Sequence, residues 1–167
     1  THRLPFWFAM AAGFALLLAA VWWWQQAVGD SAVQIAKDYA ATPYPPPVAL
    51  MGEADKRPPA VQTAFLAYRN GDFAAAATQL SVLAADPAAD DETLFYAGEA
   101  LLQTGQTEAA LSYFERVGPG YWREIADWRS ALAFIGTGRA DRAKSLLEKL
   151  RTGPRRAQAE ILLEAMK

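Results

Sequence analysis

The longest apolar run of the chain lies near its start. Leu4–Trp24 contains 21 residues without a charged side chain. A helix of that length spans about 31 Å, the thickness of a bilayer's hydrocarbon core. Aromatic rings at the ends of a span favour the headgroup region. The pattern therefore predicts a transmembrane anchor at residues 1–26. The residues expected at the membrane interfaces are Arg3, Trp7, Trp22, Trp23 and Trp24.

A cleavable signal peptide is the alternative for this run, because Ala27, Val28 and Gly29 are small. The hydrophobic region of a signal peptide is usually about 7–15 residues long, so the length favours an uncleaved anchor. Arg3 precedes the run, and the positive-inside rule then places the N-terminus in the cytoplasm. Residues after Trp24 are expected on the opposite side of the membrane.

Apolar positions take helical spacing after the anchor. Val28, Ala32, Ile35 and Tyr39 recur every three or four residues, which predicts a helical stalk at residues 27–41. A juxtamembrane coil is the alternative.

The next segment is rich in proline, which fixes φ and removes backbone donors. Residues 42–58 are therefore predicted to form a linker. Its sequence YPPP, from Tyr44 to Pro47, could be a ligand for an aromatic groove. We favour an extended strip that wraps the chain's own domain.

The rest of the chain repeats one pattern. The three copies are NGDFAAAATQLSVL from Asn70, TGQTEAALSYFERV from Thr104 and TGRADRAKSLLEKL from Thr137. The intervals between these copies are 34 and 33 residues. In each copy a glycine separates two stretches with apolar residues at helical spacing, which predicts a helical hairpin.

The second copy shows the expected ends of its helices most clearly. Asp90 or Asp91 would cap the first helix, and Gly105 would end it in a left-handed conformation. Small residues are expected where the two helices of a hairpin approach each other. These residues are Ala64, Ala76, Ala97, Gly98, Ala110, Ala131 and Ala143.

Together, the small residues, the Gly-x-x-x-x-Ala spacing between helices and the period of 34 resemble the tetratricopeptide repeat. Phe73 follows the turn as the family's usual tyrosine does, whereas Thr107 and Ala140 depart from it. The resemblance implies an all-α fold in which a transmembrane helix precedes a solenoid of about three hairpins and a capping helix. The expected repeats are residues 59–88, 90–119 and 121–152, with the cap at 154–167. The inward face predicted for the cap is Ala157, Ile161, Leu162 and Ala165.

Solenoids of this family have a concave groove lined by the first helix of each hairpin. The resemblance implies an apolar and aromatic groove that binds an extended peptide or an amphipathic helix of a partner. The expected groove residues are Phe65, Tyr68, Arg69, Phe95, Glu99, Leu102, Trp128, Arg129, Leu132 and Ile135. Two alternatives stay open: some of these residues belong to the core, or the chain's own stalk or proline-rich strip covers the groove.

The residue inventory argues against several classes of function. A net charge of −2 gives no basic surface for nucleic acid. The chain has no cysteine and one histidine, His2, so we expect no metal site and no cofactor. No nucleophile and base pair can be assembled, so we expect no catalysis and no small-molecule substrate.

The sequence thus predicts a non-catalytic, membrane-anchored scaffold that binds another protein. The layout is similar to single-pass accessory or assembly subunits of bacterial inner-membrane complexes, with the repeats in the periplasm. One alternative is a membrane-tethered regulator of the anti-sigma type, with a cytoplasmic head before Thr1. The other is a purely structural subunit held by its transmembrane helix.

Overall fold

The computed structural model describes residues 31–47 and 57–167. These residues form eight helices, of which α1 covers residues 31–40. The others are α2 (Pro59–Arg69), α3 (Phe73–Ala84), α4 (Asp91–Gln103), α5 (Thr107–Arg116), α6 (Tyr121–Gly136), α7 (Ala140–Leu150) and α8 (Arg156–Ala165). Each helix from α2 onward packs on the next, and α4 also packs on α6. The result is an all-α array of hairpins with the packing of a tetratricopeptide solenoid.

Each hairpin turns at a glycine. The three glycines are Gly71, Gly105 and Gly138, with φ of 78°, 78° and 74°. After α4, the Gly105 N–H donates to the Leu102 carbonyl at 3.1 Å, and the Gln106 N–H donates to the Leu101 carbonyl at 2.9 Å. These are the two hydrogen bonds of a Schellman motif, and equivalent bonds follow α2 and α6. The left-handed end predicted at Gly105 is confirmed.

Close packing within the hairpins explains the small residues of the repeat. A Cβ on Gly98 would lie 2.6 Å from Cε1 of Phe114 and 3.1 Å from the Ala110 carbonyl oxygen. Six of the alanines predicted at helix contacts are completely buried, namely Ala64, Ala76, Ala97, Ala110, Ala131 and Ala143. The prediction that small residues let the helices approach is therefore confirmed.

The start of α4 distinguishes the two predicted cap residues. The Asp90 carboxylate accepts the Thr93 N–H at 2.7 Å, so Asp90 is the N-cap. The Asp91 carboxylate accepts the Gly118 N–H at 2.7 Å. Asp91 therefore ties the start of α4 to the residues that follow α5.

The described helices correct the predicted fold class and location. Among residues 31–47 and 57–167, no helix is both long and apolar enough to cross a membrane. The longest helix bounded in these residues, α6, has 16 residues, whereas a span needs about 20 apolar ones. The predicted anchor at residues 1–26, with Arg3, Trp7, Trp22, Trp23 and Trp24, lies outside the described residues. The predicted fold class with a transmembrane helix is therefore wrong for the described residues, which form an all-α fold without a membrane span. The predicted single-pass inner-membrane location is not supported either.

The last helix packs in a different register from the predicted one. In α8, Ala159 and Leu162 are completely buried, whereas Ile161 is 50% exposed and Ala157 is also exposed. Leu163, Ala165 and Met166 pack against the core, so the inward residues are 159, 162, 163, 165 and 166. The prediction was right for Leu162 and Ala165 and wrong for Ala157 and Ile161.

Candidate peptide-binding groove

The residues predicted to line the groove lie on α2, α4 and α6, and most of them are buried. The buried ones are Phe65, Tyr68, Phe95, Glu99, Trp128, Arg129, Leu132 and Ile135. Leu102 is partly buried and packs against the core, and Arg69 is exposed. Much of this surface is covered by a part of the same chain that precedes the hairpins.

This covering part is the inserted segment, residues 39–47. Its first two residues, Tyr39 and Ala40, are the last two of α1, whose Ala32 and Ala36 are buried in the same core. Four of residues 43–47 are prolines, and this stretch is not helical. Proline fixes φ and keeps the preceding residue out of the helical region, so the backbone is held extended.

Three side chains of α2 and α4 hydrogen-bond to the backbone of the inserted segment. Two of these donors are buried tyrosines and one is a partly buried glutamine. The bonds are Tyr68 Oη to the Tyr44 carbonyl at 2.7 Å, Tyr96 Oη to the Pro45 carbonyl at 2.5 Å, and Gln103 Nε2 to the Ala40 carbonyl at 3.2 Å. Backbone groups of the segment, which water would otherwise solvate, are thus paired by the groove.

A buried ion pair completes these contacts. Arg129 Nη2 lies 2.7 Å from Glu99 Oε1, and the two side chains are 4% and 0% exposed. The Arg129 guanidinium also donates to the carbonyls of Thr42, at 2.7 Å, and Tyr39, at 3.3 Å. Glu99 Oε1 accepts the Tyr44 N–H at 3.0 Å. The pair therefore joins α4 to α6 and binds both backbone donors and backbone acceptors of the inserted segment.

Burial raises the pKa of the Glu99 carboxyl above its ordinary 4.5. The charge of Arg129 and the hydrogen bonds from Tyr44 and Gln103 oppose this rise, because they stabilise the carboxylate. Glu99 Oε2 has no hydrogen-bond partner within the described part of the chain. Burial therefore makes the charged form of this carboxyl costly, and the donors on Arg129, Tyr44 and Gln103 offset part of that cost.

The Tyr44 side chain occupies an aromatic pocket. Its ring meets Phe95, Tyr96 and Trp122 edge-on, with centroid distances of 5.0, 6.2 and 6.1 Å. The Tyr44 hydroxyl lies 2.8 Å from the hydroxyl of Tyr121 at the exposed rim. Burial, more than this hydrogen bond, raises the pKa of the Tyr44 hydroxyl. The pocket thus binds one neutral aromatic side chain and leaves its polar tip at the rim.

Two further aromatic contacts lie at the edges of this surface. Tyr39 meets the ring of Trp128 edge-on at 5.4 Å, and the guanidinium of Arg155 lies 5.4 Å from the centroid of the same ring. At the other edge, the Arg57 guanidinium lies 4.4 Å from the centroid of Phe65. Cations over aromatic faces stabilise both ends of the groove.

Four groove residues were not among those predicted from the sequence. They are Tyr96, Gln103, Tyr121 and Trp122. Helical spacing could have found all four. Tyr96 lies three residues before Glu99 and Gln103 lies four after it, while Tyr121 and Trp122 lie seven residues before Trp128 and Arg129.

Comparison with known proteins supports the repeat in the middle of the chain. Residues 92–118 match the family model described as tetratricopeptide repeat, and this range covers most of α4 and all of α5. No curated protein and no solved structure matches the chain. The chain therefore contains a tetratricopeptide repeat, and binding of a partner in the groove stays a prediction.

Proposed function

From the tetratricopeptide repeat at residues 92–118, we propose that this protein is a non-catalytic interaction scaffold that binds a protein partner through an extended peptide. The occupied groove is the observation that carries this proposal. Side chains of three helices already hold a non-helical segment of the chain by its backbone groups. A surface with this geometry is suited to an extended peptide, whose backbone donors and acceptors need partners when they are buried.

The groove is also pre-organised, which lowers the entropy that binding costs. Glu99 and Arg129 hold each other, and Gln103 Nε2 donates to Glu99 Oε1 at 3.1 Å. Phe95 and Trp122 stack with their centroids 5.1 Å apart. These contacts are among groove residues, so they fix the donors and the aromatic pocket before a partner arrives.

Photo-crosslinking in the native cells tests the proposal. A photoreactive phenylalanine analogue replaces Tyr121, which is 68% exposed at the groove rim. The matched control carries the analogue at Val82, which is 72% exposed on α3. We expect a protein adduct from position 121 and none from position 82. Equal adducts from both positions, or none from position 121, would contradict binding at the groove.

A further inference from the structure

The contacts of the inserted segment show what kind of peptide the groove selects. Tyr68, Tyr96 and Gln103 all donate their hydrogen bonds to backbone carbonyls of the segment. Hydrogen bonds to backbone carbonyls carry no information about side chains, because every residue has this acceptor. Selectivity for one peptide over another must therefore come from peptide side chains that fill pockets of the groove. It can also come from peptide positions whose backbone N–H the groove does not bind.

Position 44 supplies the first selective feature. The Tyr44 ring is surrounded by the aromatic rings of Phe95, Tyr96 and Trp122, and its hydroxyl meets Tyr121. Edge-on aromatic pairs favour a ring over an aliphatic side chain of similar size. The hydroxyl contact at the rim further favours tyrosine over phenylalanine.

The prolines supply the second feature. The Pro45 carbonyl accepts from Tyr96, while proline has no N–H for which the groove would need an acceptor. Pro47 is buried. A proline-rich peptide is already extended when free, so it loses little conformational entropy when it binds. Residues after the tyrosine are therefore best filled by proline.

Charge supplies the third feature. Residues 39–47 contain no charged side chain. The buried Glu99 and Arg129 that contact them form an ion pair with each other, so their charges are matched. A charged side chain placed beside this pair would be desolvated without a partner, which is costly. The groove thus disfavours acidic and basic peptides alike.

We propose that the groove takes a partner peptide with the chemistry of the segment that it already holds: extended, uncharged, and with a tyrosine followed by prolines. This proposal rests on the proposed function and names its partner class. The partner exchanges with residues 39–47 rather than adding to them, because one tyrosine fills the pocket of Phe95, Tyr96 and Trp122.

Exchange is opposed by the covalent connection of the segment to its own hairpins. A tethered segment acts at an effective concentration of about millimolar, so a free peptide competes poorly with it. The parent chain is therefore expected to bind the partner peptide weakly, and a chain with a weakened segment is expected to bind it well. This difference is the measurable signature of exchange.

The test uses the full chain and a fluorescent synthetic peptide, KDYAATPYPPP, which copies residues 37–47. Anisotropy titrations compare the parent chain with the Tyr44→Ala chain, and circular dichroism checks that both remain helical. We expect the Tyr44→Ala chain to bind the peptide at least about tenfold more tightly than the parent does. A second peptide with alanine in place of the pocket tyrosine is expected to lose this affinity.

The Tyr44→Phe chain is the second variant in case Tyr44→Ala unfolds. It keeps the ring and loses the contact with Tyr121, so the expected gain in peptide affinity is smaller, about threefold. Equal peptide binding by parent and variant, no binding by a folded variant, or equal binding of the peptide that lacks the pocket tyrosine would each overturn the proposal. If these titrations fail while the adduct at position 121 persists, the scaffold function stands and the partner has other chemistry.

Discussion

The first and second helices of the last two hairpins differ in how much of their surface is buried. The first helix α4 buries nine consecutive residues, from Thr93 to Leu101. The second helix α5 buries three, Ala110, Leu111 and Phe114. A helix with one apolar stripe packs on one side, whereas a helix buried all round lies between two layers. The second layer over α4 and α6 includes the inserted segment, so the groove residues are part of the core.

The same contrast appears in the charged residues. The inner pair, Glu99 and Arg129, is buried and binds the backbone of the inserted segment. The pair at the end of α7, Glu148 and Arg151, has side chains 56% and 48% exposed. Solvent screens the exposed pair, and it contributes little to stability. Three substitutions and a change of pH can test this difference between the buried groove side and the exposed side of the hairpins.

The largest effect is expected from Arg129→Ala. This change leaves the Glu99 carboxyl buried without its counter-charge and removes the donors to Thr42 and Tyr39. Loss of one partner of a buried pair costs about 3–5 kcal/mol in the free energy of unfolding. The matched control, Arg151→Ala, should cost less than about 1 kcal/mol. Urea titrations measure both, and similar losses would contradict the contrast.

The next effect is expected from Gly98→Ala. The new Cβ would lie 2.6 Å from the Phe114 ring, and overpacking of this kind costs about 1–3 kcal/mol. Gly136→Ala is the control, because its Cβ meets no described atom within 4 Å. Alanine favours the helix over glycine by up to about 1 kcal/mol, so the control should not destabilise. Thermal melts compare the two, and a harmless Gly98→Ala would show that α4 and α5 can move apart.

A smaller effect is expected from Tyr68→Phe. The buried Tyr68 hydroxyl donates to the Tyr44 carbonyl at 2.7 Å, and its loss should cost about 1 kcal/mol. The control on the outer side is Tyr113→Phe, whose hydroxyl lies 3.5 Å from the Ser81 carbonyl oxygen. A contact of that length contributes little. Urea titrations should therefore give a larger loss of unfolding free energy for Tyr68→Phe than for Tyr113→Phe. Equal losses would show that the hydrogen bond to the inserted segment adds no particular stability.

The smallest effect is expected from pH, because burial and Arg129 act on Glu99 in opposite directions. The net shift raises the pKa, so the folded chain binds this proton more tightly than the unfolded chain. Its contribution to stability is fully present below the unfolded pKa of about 4.5 and is lost as pH rises through the folded pKa. Unfolding free energies of the parent and Glu99→Gln, measured from pH 4.5 to 8, isolate this group. The parent should gain stability relative to the variant as pH falls, and the opposite trend would show that Arg129 dominates.

Local signals were enough to predict the hairpins. The glycines at 71, 105 and 138 predicted the turns because only glycine adopts positive φ without strain. Alanines such as Ala76 and Ala110 predicted the helix contacts because their small volume is a property of the residue itself. The face of α8 was partly mispredicted, because Ala157 and Ile161 fit a helical stripe as well as Ala159 does.

The groove was only partly predictable, for a related reason. Periodicity placed Phe95 and Trp128 on inner helices, and both are buried there. Periodicity alone could not define which residues of α4 meet the inserted segment, because this helix buries nine consecutive residues, from Thr93 to Leu101. It also left two occupants open, a partner or the chain's own proline-rich strip, since both would meet the same apolar surface.

The sequence by itself determined the repeating unit, because glycine turns, small residues and apolar stripes act between residues close in the chain. Only the tertiary structure decided what lies in the groove. The bonds that hold the inserted segment join residues 24 to 90 positions apart, and no local pattern encodes contacts of that range. They form because backbone groups of a proline-rich strip and the buried Glu99 and Arg129 pair satisfy one another.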